Sequence, residues 1–233
     1  MSPETKPADR LLAVQHADEA LLVLEKPAGL LAVPGRGEDK QDCLSRRAQA
    51  QWPDALVVHR LDMSTSGLVV MARGIEAQRA LSRAFEQRQV HKRYRAVVGG
   101  QLANPLPDNG WSTIDLPLAV DWMNRPRSKV CFDSGKPSLT RWRLAQPETE
   151  TDPQAPATHT GIGTRVELAP VTGRTHQLRV HLQALGHPIL GDALYANPAQ
   201  QALANRLLLH AELLELPHPV TGQMLRFHSP CPF

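Results

Sequence analysis

The sequence predicts an α+β domain built on a mixed, mostly antiparallel sheet with flanking helices and loops. Three observations predict it. Short apolar runs rich in Val, Leu and Ala recur along the chain and stop at turn residues. Most of these runs are joined by turns rather than by helical crossovers. Only a few segments carry helical periodicity. No internal repeat is visible. At 233 residues and 42% hydrophobic content, the chain can bury one sizeable core.

Taken in order, residues 1–10 are polar and read as a flexible tail. Runs 11–14 and 21–24 are two short strands, followed by a turn at Lys26, Pro27, Ala28 and Gly29. Segment 45–51 is a short helix stopped by Pro53. Runs 55–58 and 67–72 are buried strands flanking a polar loop, 59–66. Two buried strands hold such a loop rigidly, which suits a catalytic residue. Segment 75–89 predicts an amphipathic helix, with Leu81, Ala84 and Phe85 on one face and Arg79, Arg83, Glu86 and Gln87 on another. Run 94–98 is a strand closed by Gly99 and Gly100, and a Pro/Asn/Gly-rich loop leads to about Trp111.

Runs 129–132 and 138–144 predict a hairpin around Asp133, Ser134, Gly135 and Lys136. Segment 146–160, rich in Thr, Pro, Ala and acids, predicts a mobile surface insertion. Run 164–169 alternates as a strand. Segment 174–185 predicts a helix with Leu178, Leu182 and Leu185 on one side, ended by Gly186 and Pro188. Run 207–216 fits a strand or a helix; with 224–227 it flanks a turn at Pro219, Val220, Thr221 and Gly222 and suggests a closing hairpin. Gly173 and Gly191 are expected to mark tight turns.

Composition excludes several classes. No apolar run approaches the ~20 residues needed to span a bilayer, and residues 1–7 lack the apolar core of a signal peptide. A cytoplasmic, monomeric protein with no membrane partner is expected. The three cysteines, Cys43, Cys131 and Cys231, are isolated and odd in number, so neither a disulfide framework nor a cysteine zinc site is expected. His176, His181 and His187 are loosely spaced for zinc, but no cysteine pair joins them and a helix puts only some on one face; no metal site is expected.

Formal net charge is +3, and the acids Glu148, Glu150 and Asp152 in 146–160 leave the rest more basic. Basic clusters lie at Arg46 and Arg47, in 88–95, in 125–129, and at Arg174 with Arg179. They suit a polyanionic partner or simply a solvated basic face.

The chemistry-bearing residues centre on His59, Arg60, Leu61 and Asp62, followed by Met63, Ser64, Thr65, Ser66 and Gly67. By themselves, one carboxylate beside one guanidinium reads as a structural ion pair as readily as a catalytic centre. In order along the chain, however, the loop stands with Lys26, Pro27, Ala28, Gly29 and Leu30; with Lys92, Arg93 and Tyr94; with the run from Gly173 through Arg174, Thr175, His176, Gln177, Leu178, Arg179 and Val180 to His181; and with the turn from Gly186 to Asp192. This ordered set resembles the RluA-type pseudouridine synthases, over some 170 residues.

The resemblance implies the pseudouridine synthase fold, an RNA substrate, no cofactor and no metal. It implies that Asp62 is the aspartate on which the reaction depends, acting as nucleophile or as base. Tyr94 would stack on the target base, with proton transfer at C5 as a second role, and Arg174 would pair with Asp62. Arg60 would enter the RNA where the flipped base had been. His59, Thr65, Lys92, Arg93, Arg125, Lys129 and Lys136 complete the expected RNA-contacting set, His59 being also a structural hydrogen-bonding residue.

Chemistry agrees. Breaking the N1–C1′ bond, turning the uracil and bonding C1′ to C5 needs one ionised carboxylate. An arginine favours that ionised form and orients it better than a lysine, and an aromatic ring gives a sequence-tolerant stacking surface. The base must leave its stack, which costs least in loops.

Many members of the family carry an N-terminal S4-type RNA-binding module; with about ten residues before the first strand, none is expected, and residues 11–233 are expected to form one catalytic domain. Val33 to Arg36, Asp121 to Pro126, Lys129 to Cys131, Gly135 to Pro137 and Arg206 to Glu212 resemble the compact family members that act on both 23S rRNA and tRNA anticodon stem-loops, implying the same dual substrate. Departures are Glu25, where relatives often have Asn, and the longer 146–160 stretch. The competing functions are a synthase restricted to one RNA, an RNA-binding or chaperone protein that needs no catalysis, and a nucleoside N-glycosylase, which lacks a second acid to activate water.

Overall fold

The computed structural model describes residues 12–103, 110–145, 159–160 and 163–233. The expected N-terminal tail, much of the loop before Trp111, and most of the 146–160 insertion lie outside the described residues. The chain forms two compact units: residues up to His91 with Ala211–Cys231, and Lys92–His210 with Pro232–Phe233.

The first unit contains β1 (Ala13–Ala17), β2 (Leu21–Lys26), α1 (Leu44–Gln51), β3 (Ala55–Val57), β4 (Ser66–Arg73) and α2 (Ile75–Glu86). It is completed by a C-terminal hairpin, strands Leu209–Pro217 and Met224–His228. The 207–216 run is therefore a strand. Strands β1, β2 and β4 are consecutive neighbours, β3 also pairs with β4, and the first hairpin strand lies beside β4. Because β2 and β4 are covered on both faces, they read as continuous apolar runs rather than alternating ones.

The β2–β4 register runs from Leu21 opposite Ala72 to Lys26 opposite Gly67. This brings the turn after β2 beside the loop before β4. Gly67 has φ +111, and a Cβ there would run into the backbone of Ala211. Helix α2 packs Ala77, Leu81 and Ala84 into the core with Phe85 against it, the face expected. It ends at Glu86 rather than 89 because Arg88 turns into the left-handed region, φ 59.

The second unit contains β5 (His91–Gly99), β6 (Ser112–Asp115), β7 (Leu118–Val120), β8 (Ser128–Val130), β9 (Leu139–Leu144), β10 (His159–Thr160), β11 (Gly163–Pro170), α3 (Gln177–Ala184) and α4 (Pro198–Ala202). Strands β5, β11, β9 and β6 pair antiparallel in that order. The end of the expected insertion, β10, pairs with β11, so it is built into the sheet.

The expected hairpin around residues 133–136 is corrected. The 129–132 run does not form a hairpin with 138–144; β8 pairs with β7 as a separate ribbon. Gly135 donates its amide to the Cys131 carbonyl, and Lys136 and Leu118 exchange backbone bonds of 2.8 and 3.0 Å, so the chain returns to β7 before β9 enters the larger sheet. A Cβ at Gly135 would meet the Cys131 carbonyl, which is why this turn carries glycine. Helix α3 starts at Gln177 and not 174, because His176 stands in the left-handed region, φ 57. Gly191 does mark a tight turn, with φ +72 and no room for a Cβ beside the Arg206 carbonyl; Gly173 has neither feature. Both units are sheets with few helices, the α+β class expected.

Candidate active site

In the first unit Asp62 sits on the loop between β3 and β4, half-buried, between the exposed Met63 and the buried Leu61. Several contacts fix that loop. The Thr65 amide donates to the Asp62 carbonyl at 3.1 Å, and the Thr65 side chain is buried, so Thr65 frames the loop from inside. His59 is held by its ring: Nε2 accepts the Val70 amide at 3.0 Å, and the ring stacks on Phe85 at 4.9 Å. A nitrogen that accepts an amide proton carries none, so Nδ1 bears the hydrogen. This geometry makes His59 a tether between the loop, β4 and α2. Arg60, next in sequence, is exposed.

A residue that the sequence places in the turn, without assigning it a role, completes the frame. Lys26, at the end of β2, is 1% exposed, and its Nζ donates to the carbonyls of Pro27 (2.9 Å), Leu30 (2.8 Å) and Met63 (3.0 Å). The Gly29 amide adds a bond to Met63 O at 2.8 Å. Lys26 thus locks the turn after β2 to the residue following Asp62. The signal was available: a lysine just after the apolar run 21–24 and Glu25, before Pro27, Ala28 and Gly29, is either exposed or fully hydrogen-bonded.

In the second unit Tyr94 lies on β5 opposite Leu168 of β11 and is 9% exposed. Lys92 precedes it on the same face of the strand, and burial pushes its ammonium below the usual lysine value. Arg93, on the other face, pairs with the buried Glu167 at 2.8 Å, and Arg143 binds the second oxygen of that carboxylate at 2.6–2.7 Å. Arg93 is therefore engaged in an ion pair within the fold.

Arg174 is exposed on the loop before α3, its Nε donating to Pro137 O at 3.3 Å. The buried Gln177 holds this loop. Its Oε1 accepts from the Arg174 amide (3.0 Å) and the Thr172 hydroxyl (2.7 Å), while Nε2 donates to Leu139 O (3.0 Å) and Thr140 Oγ1 (2.9 Å). Nothing in residue type alone singles out Gln177; its role depends on β9, almost 40 residues away. Arg125, Lys129 and Lys136 are exposed on or beside the β7–β8 ribbon.

Other sequence candidates go elsewhere. Arg179 and Asp192 form a buried, bidentate pair at 2.7–2.8 Å, so Arg179 is removed from the polyanion-contacting set; Arg47 is likewise paired to Asp42. His176 Nδ1 bonds Tyr195 Oη at 2.7 Å, His181 bonds Thr140 and Leu116, and His187 Nδ1 bonds Gly99 O at 2.8 Å. Among the described residues no cluster of His, Cys, Asp and Glu is placed to hold a metal ion.

The whole chain is similar to a known class of protein. Residues 20–184 match the family model described as RNA pseudouridylate synthase. The chain is 46% identical over 227 residues to the dual-specificity RNA pseudouridine synthase RluA of Escherichia coli (strain K12), covering 97% of this chain and 96% of that one. It is 44% identical over 229 residues to the protein of that name from Pasteurella multocida, covering 98% and 97%. Among solved structures, human RNA pseudouridylate synthase domain containing 1 superposes with a TM-score of 0.75 at 27% identity, covering all of this chain and 87% of that one. The chain belongs to the RluA-type RNA pseudouridine synthase family: it is an isomerase acting on RNA, with the pseudouridine synthase fold.

Proposed function

We propose that this synthase is dual-specific, converting uridine to pseudouridine in stem-loops of both 23S rRNA and tRNA anticodon arms. What supports the reading is the identity of almost half the residues over nearly the full length of relatives named for dual specificity. In this proposal Asp62 is the catalytic residue, acting on the flipped uridine as nucleophile or as base. Tyr94 stacks on the base, Arg174 keeps Asp62 ionised, and Arg60 fills the gap the base leaves. The atoms balance within the uridine: N1–C1′ breaks, C1′–C5 forms, the C5 proton leaves and N1 gains one. The enzyme works as a monomer in the cytoplasm, as one catalytic domain.

The framing of the Asp62 loop by Lys26, His59 and Thr65 supports this assignment, because displacing a reacting group by about 1 Å costs on the order of 100-fold in rate. The test is to incubate the protein with an anticodon stem-loop and with a 23S rRNA fragment, then map carbodiimide-modified pseudouridine by primer extension. New stops are expected on both RNAs. Asp62→Asn should lower the rate at least about 100-fold, and Tyr94→Phe and Arg174→Lys should lower it by smaller factors. Stops on one RNA alone would remove dual specificity, and stops that survive Asp62→Asn would remove the residue assignment.

A further inference from the structure

The loop joining β7 to β8 presents side chains that a folded protein ordinarily covers. Trp122 is 70% exposed and Met123 91%, the most exposed tryptophan and large apolar side chain among the described residues. The loop is not loose. The Asp121 amide donates to Arg127 O (2.9 Å), Arg127 to Asn124 O (3.0 Å) and Asn124 to Asp121 O (3.1 Å), while Asn124 Nδ2 binds the Asp121 carboxylate at 2.9 Å. The ribbon is rooted by Leu118 and Val130 against Val180 and Tyr195, and by the Ser128 amide donating to Tyr195 Oη at 2.7 Å. A rigid mount holding an indole in solvent is built for contact.

The surrounding charge selects the partner. The Arg125 guanidinium lies 3.4 Å over the Trp122 ring, covering one face and leaving the ring mostly open. Lys129 is exposed on the adjoining strand, Lys136 is exposed where the chain pairs with Leu118, and Arg127 lies in the same loop. Arg125, Arg127, Lys129 and Lys136 outnumber the acid of the same loop, Asp121, which lies 3.6 Å from Lys129; an excess of cations beside an open aromatic face matches a nucleic acid with an unpaired base.

We propose that Trp122, backed by Arg125, is a stacking platform for an unpaired base of the RNA other than the target uridine, and so a specificity-determining contact. This rests on stem-loop RNA being the substrate. Trp122 then discriminates RNAs that carry an unpaired nucleotide at the right distance from those that are fully paired, whereas the nearby cations bind both through phosphate.

The experiment compares the full chain with its Trp122→Ala and Trp122→Phe variants. Affinity is measured for an anticodon stem-loop and for a blunt-ended, fully paired RNA duplex with the same number of phosphates, together with pseudouridine formation on the stem-loop. Trp122→Ala is expected to weaken stem-loop binding about 5- to 150-fold. It should leave binding of the paired duplex unaffected and raise KM for the stem-loop without lowering the maximal rate. Trp122→Phe should recover most of the loss, and bound stem-loop should shield wild-type tryptophan fluorescence from acrylamide but not the Trp122→Phe signal. Unchanged stem-loop affinity in Trp122→Ala, or an equal loss on the paired duplex, overturns the platform. If wild type still forms pseudouridine in that case, the functional reading stands; if wild type forms none, both fall.

Discussion

At the scale of single residues, the environment of Asp62 depends on a lysine that touches no solvent. An ammonium buried without partners costs several kcal/mol, and Lys26 escapes this by giving bonds to three carbonyls, matching its three N–H donors. One of those carbonyls belongs to Met63, so the position of Asp62 is coupled to the end of β2. Lys26→Met keeps the apolar stem and removes the donors. It should lower the denaturant midpoint, since each buried carbonyl left without a partner costs about 1–3 kcal/mol. It should also slow single-turnover pseudouridine formation under conditions where the variant is fully folded. An unchanged midpoint and rate would show that Lys26 does not brace the loop. The lysine's place in the turn was legible in the sequence as part of a recognisable run, but its burial was not, because burial is decided by β4 and the Asp62 loop lying alongside.

Among the elements, α3 shows what sequence patterning reveals and what it hides. Leu178 and Leu182 are buried as their spacing predicts, yet so are Gln177, Arg179 and His181, which close a polar network with Thr140, Asp192 and Leu116. Periodicity marks apolar stripes and says nothing of polar residues whose partners come from distant strands. The β8 pairing failed for the same reason: Ser128 is fastened to Tyr195, 67 residues away, and no local turn signal reports that. His181 supplies a pH test of this network. Leu116 O can only accept, so Nε2 carries a proton at 3.1 Å, and in the neutral ring Nδ1 accepts from the Thr140 hydroxyl at 2.9 Å. Burial lowers its pKa below the ordinary 6.5, with the Leu116 bond opposing in part. Above 6.5 the ring is neutral in both states and its contribution is complete. As pH falls below 6.5 the unfolded chain takes up a proton that the folded chain refuses, so stability declines down through the folded value. Denaturant midpoints between pH 8 and 5 should fall, and His181→Gln should flatten part of that slope. A slope identical in the variant would mean that His181 is not the group responsible.

Across the whole molecule, the charges divide into those spent inside the fold and those left for a partner. A net charge of +3 is too small to predict RNA binding, and the basic clusters read from sequence mix both kinds. Arg179 is locked to Asp192 with almost no exposure, Arg73 and Arg47 pair with Asp54 and Asp42, and Arg93 and Arg143 share Glu167. Lys129 and Lys136 are exposed, and the 3.6 Å separation of Lys129 from Asp121 on the surface is a weak constraint. Only cations of this second kind can release counterions when phosphate binds. RNA affinity should therefore fall linearly on a log–log plot against salt, and Lys129→Gln and Lys136→Gln should each reduce the steepness by about one phosphate contact. Arg179→Gln should instead destabilise the fold by about 3–5 kcal/mol, through the uncompensated Asp192 carboxylate, and leave the slope unchanged in the protein that remains folded. If Arg179→Gln flattened the salt response while Lys129→Gln and Lys136→Gln did not, the RNA would be meeting a different set of charges from the one the fold leaves open.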